Sequence, residues 1–328
     1  MRFRNAIRLL VENFGYVYKV FVYMLVILLI ASALCCSFVL PEIMQFVNSA
    51  EMQALITDGQ EFFRAFFAVD AKALGIVKEA ILGEGGSLRK VMALLTSMST
   101  EIILICIGCL VVSLLQRFMD TLCCFAVGSL LNDKMTTYAE GAFHSAYIAN
   151  LGKASAYSLI YVPFTFVYDM IMMLLVVLSL AFSPILLGVF LSVTIIAVSQ
   201  SLKLTITGRW MPAIIADNQK LREALKGKKS LEKNQKRKEF STYLVCVYLI
   251  IIVNVLAIIC TFGSALLITV PASYVFLVCI RFVHYYTVEG KKYFITYEKI
   301  EKNTDHGDKE HFFEYLQEET KEEKISEE

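Results

Sequence analysis

Long apolar runs alternate with shorter polar stretches along nearly the whole chain. The runs lie at about 20–40, 102–122, 158–182, 185–205, 243–262 and 266–285. Each matches the ~20 apolar residues needed to cross a ~30 Å hydrocarbon core. None carries the polar face that a helix on a water-soluble protein presents. The pattern predicts an all-α fold, a polytopic transmembrane helical bundle of about six spans within residues 1–286. Pro41 is expected to close the first span, Ser183-Pro184 to turn the chain between the third and fourth, and Pro271 to bend the sixth.

The second run is unusual. Apolar residues reach Leu115, residues 116–120 (Gln-Arg-Phe-Met-Asp) interrupt, and Thr121 resumes the pattern. Thirty helical residues would measure ~45 Å, so the helix either tilts strongly or continues beyond the bilayer. Residues 132–155 read as a polar, glycine-containing connection. Before the first span, Ile7, Leu10, Val11, Phe14 and Val17 recur at helical spacing and predict an interfacial helix. Residues 41–100 read as an extracytoplasmic amphipathic segment. Phe62, Phe63, Phe66 and Phe67 form one face, and Leu74, Val77 and Ile81 another. Its glycine break at 83–86 is followed by Ser87 as N-cap.

Charge orients the spans. Arg2, Arg4, Arg8 and Lys19 precede the first one against Glu12 alone. Between Lys203 and Glu239, eleven Lys or Arg stand against four acids, Asp217, Glu223, Glu232 and Glu239. By the positive-inside rule, both the first residues and the basic loop 206–240 lie in the cytoplasm, giving an N-in/C-in arrangement. Residues 287–328 then form a charged cytoplasmic tail. With 57% hydrophobic and 19% charged residues, the chain departs from soluble proteins, which sit near 45–50% and about 25%. All nine cysteines fall in or beside apolar runs, where they serve as small packing residues. Cys106 and Cys109 spell C-x-x-C inside one run with no second pair, so no metal or redox centre is read and no cofactor is expected.

Ionisable residues inside spans are costly and mark candidate sites. Arg117 and Asp120 share a face of the second span, and Asp169 lies near mid-depth in the third. Together they form an intramembrane polar site for substrate or proton handling, or else a structural ion pair. Tyr161, Tyr168, Asn254 and Ser199-Gln200-Ser201 are expected to make helix–helix hydrogen bonds. Arg281 and His284 are expected to anchor the sixth span at the interface. In the basic loop, Pro212 fits the first turn of a helix that carries Ile214, Leu221 and Leu225 on one stripe. Its Lys and Arg residues would attract anionic headgroups of membrane lipids at ~1 kcal/mol each. A protein partner would engage this loop or the tail. No nucleic-acid-reading module is present, so no nucleic acid is expected.

The segment Arg209-Trp210-Met211-Pro212-Ala213-Ile214-Ile215, then Glu223-Ala-Leu-Lys-Gly-Lys-Lys-Ser230 and a new span, resembles the membrane domain attached to some glycerophosphodiester phosphodiesterases and its uncharacterised bacterial relatives. The resemblance covers about forty residues. No phosphodiesterase catalytic domain accompanies it, so it implies no active site. It implies a multi-pass protein of a bacterial cytoplasmic (plasma) membrane. No P-loop, H-E-x-x-H or G-x-S-x-G motif is present. The expected function is therefore that of a non-enzymatic scaffold, assembly factor or accessory component. The alternatives are a transporter or permease-like subunit using the polar site, and a lipid-modifying membrane enzyme.

Overall fold

A backbone amide left bare inside a bilayer costs several kcal/mol, so a long apolar run crosses only as a helix or in a closed barrel. Helix is what each run adopts. The computed structural model describes residues 2–68, 71–83, 86–226, 233–296 and 299–301. The helices are α1 (Arg2–Glu12), α2 (Gly15–Val47), α3 (Ala50–Phe67), α4 (Ala71–Leu82), α5 (Ser87–Ser97), α6 (Ser99–Thr137), α7 (Phe143–Phe182), α8 (Ile185–Thr207), α9 (Trp210–Ala216), α10 (Leu221–Lys226), α11 (Lys233–Thr261) and α12 (Leu266–Val288). Strands β1 (Tyr293–Thr296) and β2 (Lys299–Glu301) follow as an antiparallel pair. Among the described residues, six stretches are long and apolar enough to cross a membrane: α2, α6, α7, α11, α12 and Leu187–Ala216, which runs through α8 and α9. The fold is an all-α polytopic helical bundle.

The chain divides into two compact units, residues 1–25 with 118–328 and residues 26–117. In the first, α12 is the central element, with Phe282, Val283, Tyr285 and Tyr286 among its buried side chains. Helix α8 packs against both α7 and α11, and α11, α1 and α9 pack against α12. The outer faces stay apolar, with Leu159 73% and Ile259 67% exposed. Water would drive such faces to aggregate, whereas lipid solvates them.

Helices α6 and α7 contain 39 and 40 residues. At 1.5 Å per residue each measures about 60 Å, roughly twice the hydrocarbon thickness. The buried residues of α6 run from Thr121 to Met135 and those of α7 from Ala154 to Met172, so each helix packs into the unit along only part of its length. The polar connection expected at 132–155 is thereby corrected to a short break at 138–142. Phe143, Tyr147 and Ala154 keep helical spacing and pack on the core, which holds the stretch helical. Tyr138 makes the turn with φ 56°. Across it Lys134 donates to Glu140 at 2.8 Å and sits 4.2 Å over the Tyr138 ring.

Three other expectations change. Pro41 does not end the first span, because α2 continues to Val47. A proline forfeits one hydrogen bond, whereas unwinding an apolar rod would bare several groups at once. Ser87 is not a cap: α5 begins at Ser87 itself after Gly86, and the buried hydroxyl has no hydrogen-bond partner among the described residues. Helix α1 forms, but the face it turns inward is Asn5, Ala6 and Leu9, docked on α12 and β1, while Val11 and Phe14 are exposed.

The chain past 287 also folds further than a tail would. Helix α12 reaches Val288, and Tyr293 and Ile295 of β1 are buried in the core. Residues from 302 onward lie outside the described ones. In the second unit, α3, α4 and α5 pack on one another, so these helices of the segment expected at 41–100 form a self-packed cluster, while residues 41–47 continue α2 and residues 99–100 open α6. The side chains of Phe66, Phe67, Leu74 and Val77 are outside the described ones.

Candidate functional site

The α7–α8 seam carries the intramembrane polar groups. Asp169 lies thirteen residues before the end of α7, about 20 Å along the helix from the turn at Ser183. Lys203 donates to its Oδ1 at 2.8 Å and the Gln200 amide does so at 3.3 Å, both from α8. The two charged side chains are only 13% and 15% exposed. One step along, the Tyr168 hydroxyl donates to the Ser199 carbonyl at 2.8 Å, and nearer the turn Ser179 and Ser192 pair at 2.8 Å. Asp120 belongs to the same unit, where its backbone carbonyl accepts from Tyr274 at 2.6 Å. Arg117 is the last residue of the other unit. The partners found here for Asp169 thus come from the fourth span, which the sequence reading did not consider. Of the expected helix–helix bonds, Tyr168, Ser199, Gln200 and Asn254 all form them, Asn254 with Ser273 and Thr269 of α12.

A second polar assembly gathers where α8 ends, α11 begins and α12 ends. Arg209 Nη2 donates to Glu289 at 2.7 Å. Asp217, at the end of α9, accepts from Tyr285 at 2.8 Å, from Gln219 at 3.3 Å and from Lys291. Burial pushes the Asp217 carboxyl up, but Lys291, Tyr285 and Gln219 together outweigh it and hold it below its ordinary value. Asn218 next to it makes the turn into α10 at φ 54°, a conformation asparagine tolerates better than most residues.

His284 is not the interfacial anchor expected. It is 2% exposed, because the C-terminal half of α12 is wrapped by α1, α9 and α11. Its Nδ1 lies 3.3 Å from Arg2 Nη1 of α1, and its Nε2 lies 3.1 Å from Glu239 Oε1 of α11. The second contact is close enough for attraction but lacks hydrogen-bond alignment. Neither Glu239 oxygen has a hydrogen bond among the described residues, and the buried Tyr243 hydroxyl is likewise unmatched. His284 therefore ties the first helix to the eleventh.

Beside this assembly opens a cavity of about 680 Å³. Leu202, Ile206, Trp210 and Phe240 supply apolar wall, and Arg209, Lys226, Lys236 and Arg237 supply positive charge. The basic composition of loop 206–240 signalled the charge. Nothing local signalled that α8, α11 and α12 would enclose a hollow beside it. No family model, curated protein or solved structure matches this chain.

Proposed function

We propose that this chain is a non-enzymatic integral membrane protein, a scaffold, assembly factor or accessory component, with loop 206–240 and both ends facing the cytoplasm. The observation that supports it is the closed pair of Asp169 and Lys203. A carboxylate that relays protons or takes substrate inside a bilayer needs an open, wetted position. Here an ammonium and an amide of the next helix occupy it. The excess of Lys and Arg in the loop favours the orientation, and the resemblance of the Trp210-Met211-Pro212 segment favours a bacterial cytoplasmic membrane.

A transporter or permease-like subunit draws on the same residues, since Tyr168, Asp169, Ser199, Gln200 and Lys203 thread a polar line between two apolar helices. Vesicles separate the two readings. The purified full chain, reconstituted around a pH-sensitive dye, is expected to hold an imposed proton gradient as well as empty liposomes do, and Asp169→Asn to make no difference. A gradient that collapses with the wild type and survives with Asp169→Asn would overturn the proposal in favour of transport.

A further inference from the structure

The cavity beside loop 206–240 has two kinds of wall. Leu202 and Ile206, each 45% exposed, belong to the last turns of α8, a helix apolar enough to lie in lipid. Facing the same space are four cations. Arg209 has committed Nη2 to Glu289, and its buried Nε has no acceptor among the described residues. Lys226, Lys236 and Arg237 have no carboxylate partner among the described residues. Two acids, Glu289 and Glu239, line the same cavity. Glu289 neutralises Arg209, and Glu239 has no exposed surface and faces His284, so the charge open to a visitor is that of Lys226, Lys236 and Arg237. At about 680 Å³ the hollow falls within the ~300–1,000 Å³ typical of ligand sites.

We propose that this cavity binds the headgroup of one anionic phospholipid. The phosphate meets Arg209, Lys236 and Arg237, with Lys226 at the rim, and the acyl chains leave along Leu202 and Ile206 into the bilayer. A bare phosphate would find the same cations but gain nothing from the apolar wall, so a lipid is the better-matched occupant. The site rests on the membrane-embedded reading of the six helices and is independent of whether the chain transports anything.

Trp210 lines the cavity and is the only tryptophan in the chain, so it reports on the occupant. The full chain is placed in phosphatidylcholine nanodiscs doped with phosphatidylglycerol brominated on its acyl chains. Saturable quenching of Trp210 emission is expected, against only gradual quenching by brominated phosphatidylcholine. The double variant Lys236→Gln/Arg237→Gln should bind the anionic lipid about thirty-fold more weakly, from ~1 kcal/mol per charge. Lys220→Gln/Arg222→Gln removes two charges from the same loop outside the cavity wall and should bind as the wild type does. An unchanged elution profile and unquenched spectrum establish that each variant is folded.

Equal quenching by the two lipids would overturn the proposal. So would equal weakening in both double variants, which would mean diffuse surface charge, or displacement of the brominated lipid by inorganic phosphate, which would mean a bare-anion site. None of these results bears on the proton-gradient measurement, so failure here leaves the non-transporting reading standing.

Discussion

Asp169 and Lys203 form a largely buried charged pair whose loss the fold should feel. Breaking a buried ion pair by deleting one partner strands the other charge and typically costs about 3–5 kcal/mol. Asp169→Asn is therefore expected to lower the unfolding temperature in detergent clearly. Asp169→Leu combined with Lys203→Met should recover most of the loss, and a double variant as unstable as the single would show that the pair is not the cause. Asp217 makes a different prediction, about pH. Its folded value lies below the ordinary one because Lys291, Tyr285 and Gln219 outweigh its burial. A depressed carboxyl stabilises the folded state above its unfolded value, near 4, and that contribution disappears as pH falls through the folded value. Glu140 shifts the same way, held down by Lys134. Between about pH 5 and pH 3 the wild type should therefore lose unfolding temperature faster than Asp217→Asn does. Parallel curves would mean that Asp217 contributes nothing through its charge.

At the scale of helices, the crossing stretches were legible because lipid leaves an apolar run few alternatives. Their ends were not legible. Polarity marks where a bilayer stops, whereas α6, α7 and α11 continue as helix beyond their apolar runs. The pairing of Tyr168 with Ser199 was open to deduction, since each stands fifteen positions from the Ser183-Pro184 turn on antiparallel helices. Mirroring about that turn also brings Asp169 to Gln200 within one helical turn. By contrast, Asp217 with Lys291, or His284 with Glu239, join distant segments with no local signal. Two substitutions test the packing. A Cβ at Gly208 would meet the Leu204 carbonyl and the Tyr243 hydroxyl, each at 2.5 Å, where α8 hands over to α9 against α11. Gly208→Ala should cost about 1–3 kcal/mol. Tyr243→Phe should relieve only part of that, because the carbonyl remains, and full rescue would contradict the geometry. Tyr293 accepts a hydrogen bond from Asn5 at 3.0 Å and is 2% exposed. Tyr293→Phe should cost about 1 kcal/mol and Tyr293→Ala about 3–5 kcal/mol, both read by thermal unfolding.

For the molecule as a whole, an even number of crossings returns the chain to the side on which it began. Fluorescent proteins fused to either end should respond alike to a membrane-impermeant quencher, and opposite responses would make the number of crossings odd. Helix α1 also meets α12 and β1, through Arg2 with His284 and Asn5 with Tyr293. The donor and acceptor of the second contact are 288 positions apart. At ~5–20 residues per second of synthesis, α1 leaves the ribosome roughly fifteen seconds to a minute before its seat exists. Throughout that interval the N-terminal helix must wait undocked while the later helices are made. Its closure onto α12 and β1 therefore waits on synthesis through Tyr293, and a chain stalled short of residue 293 should leave α1 open to protease.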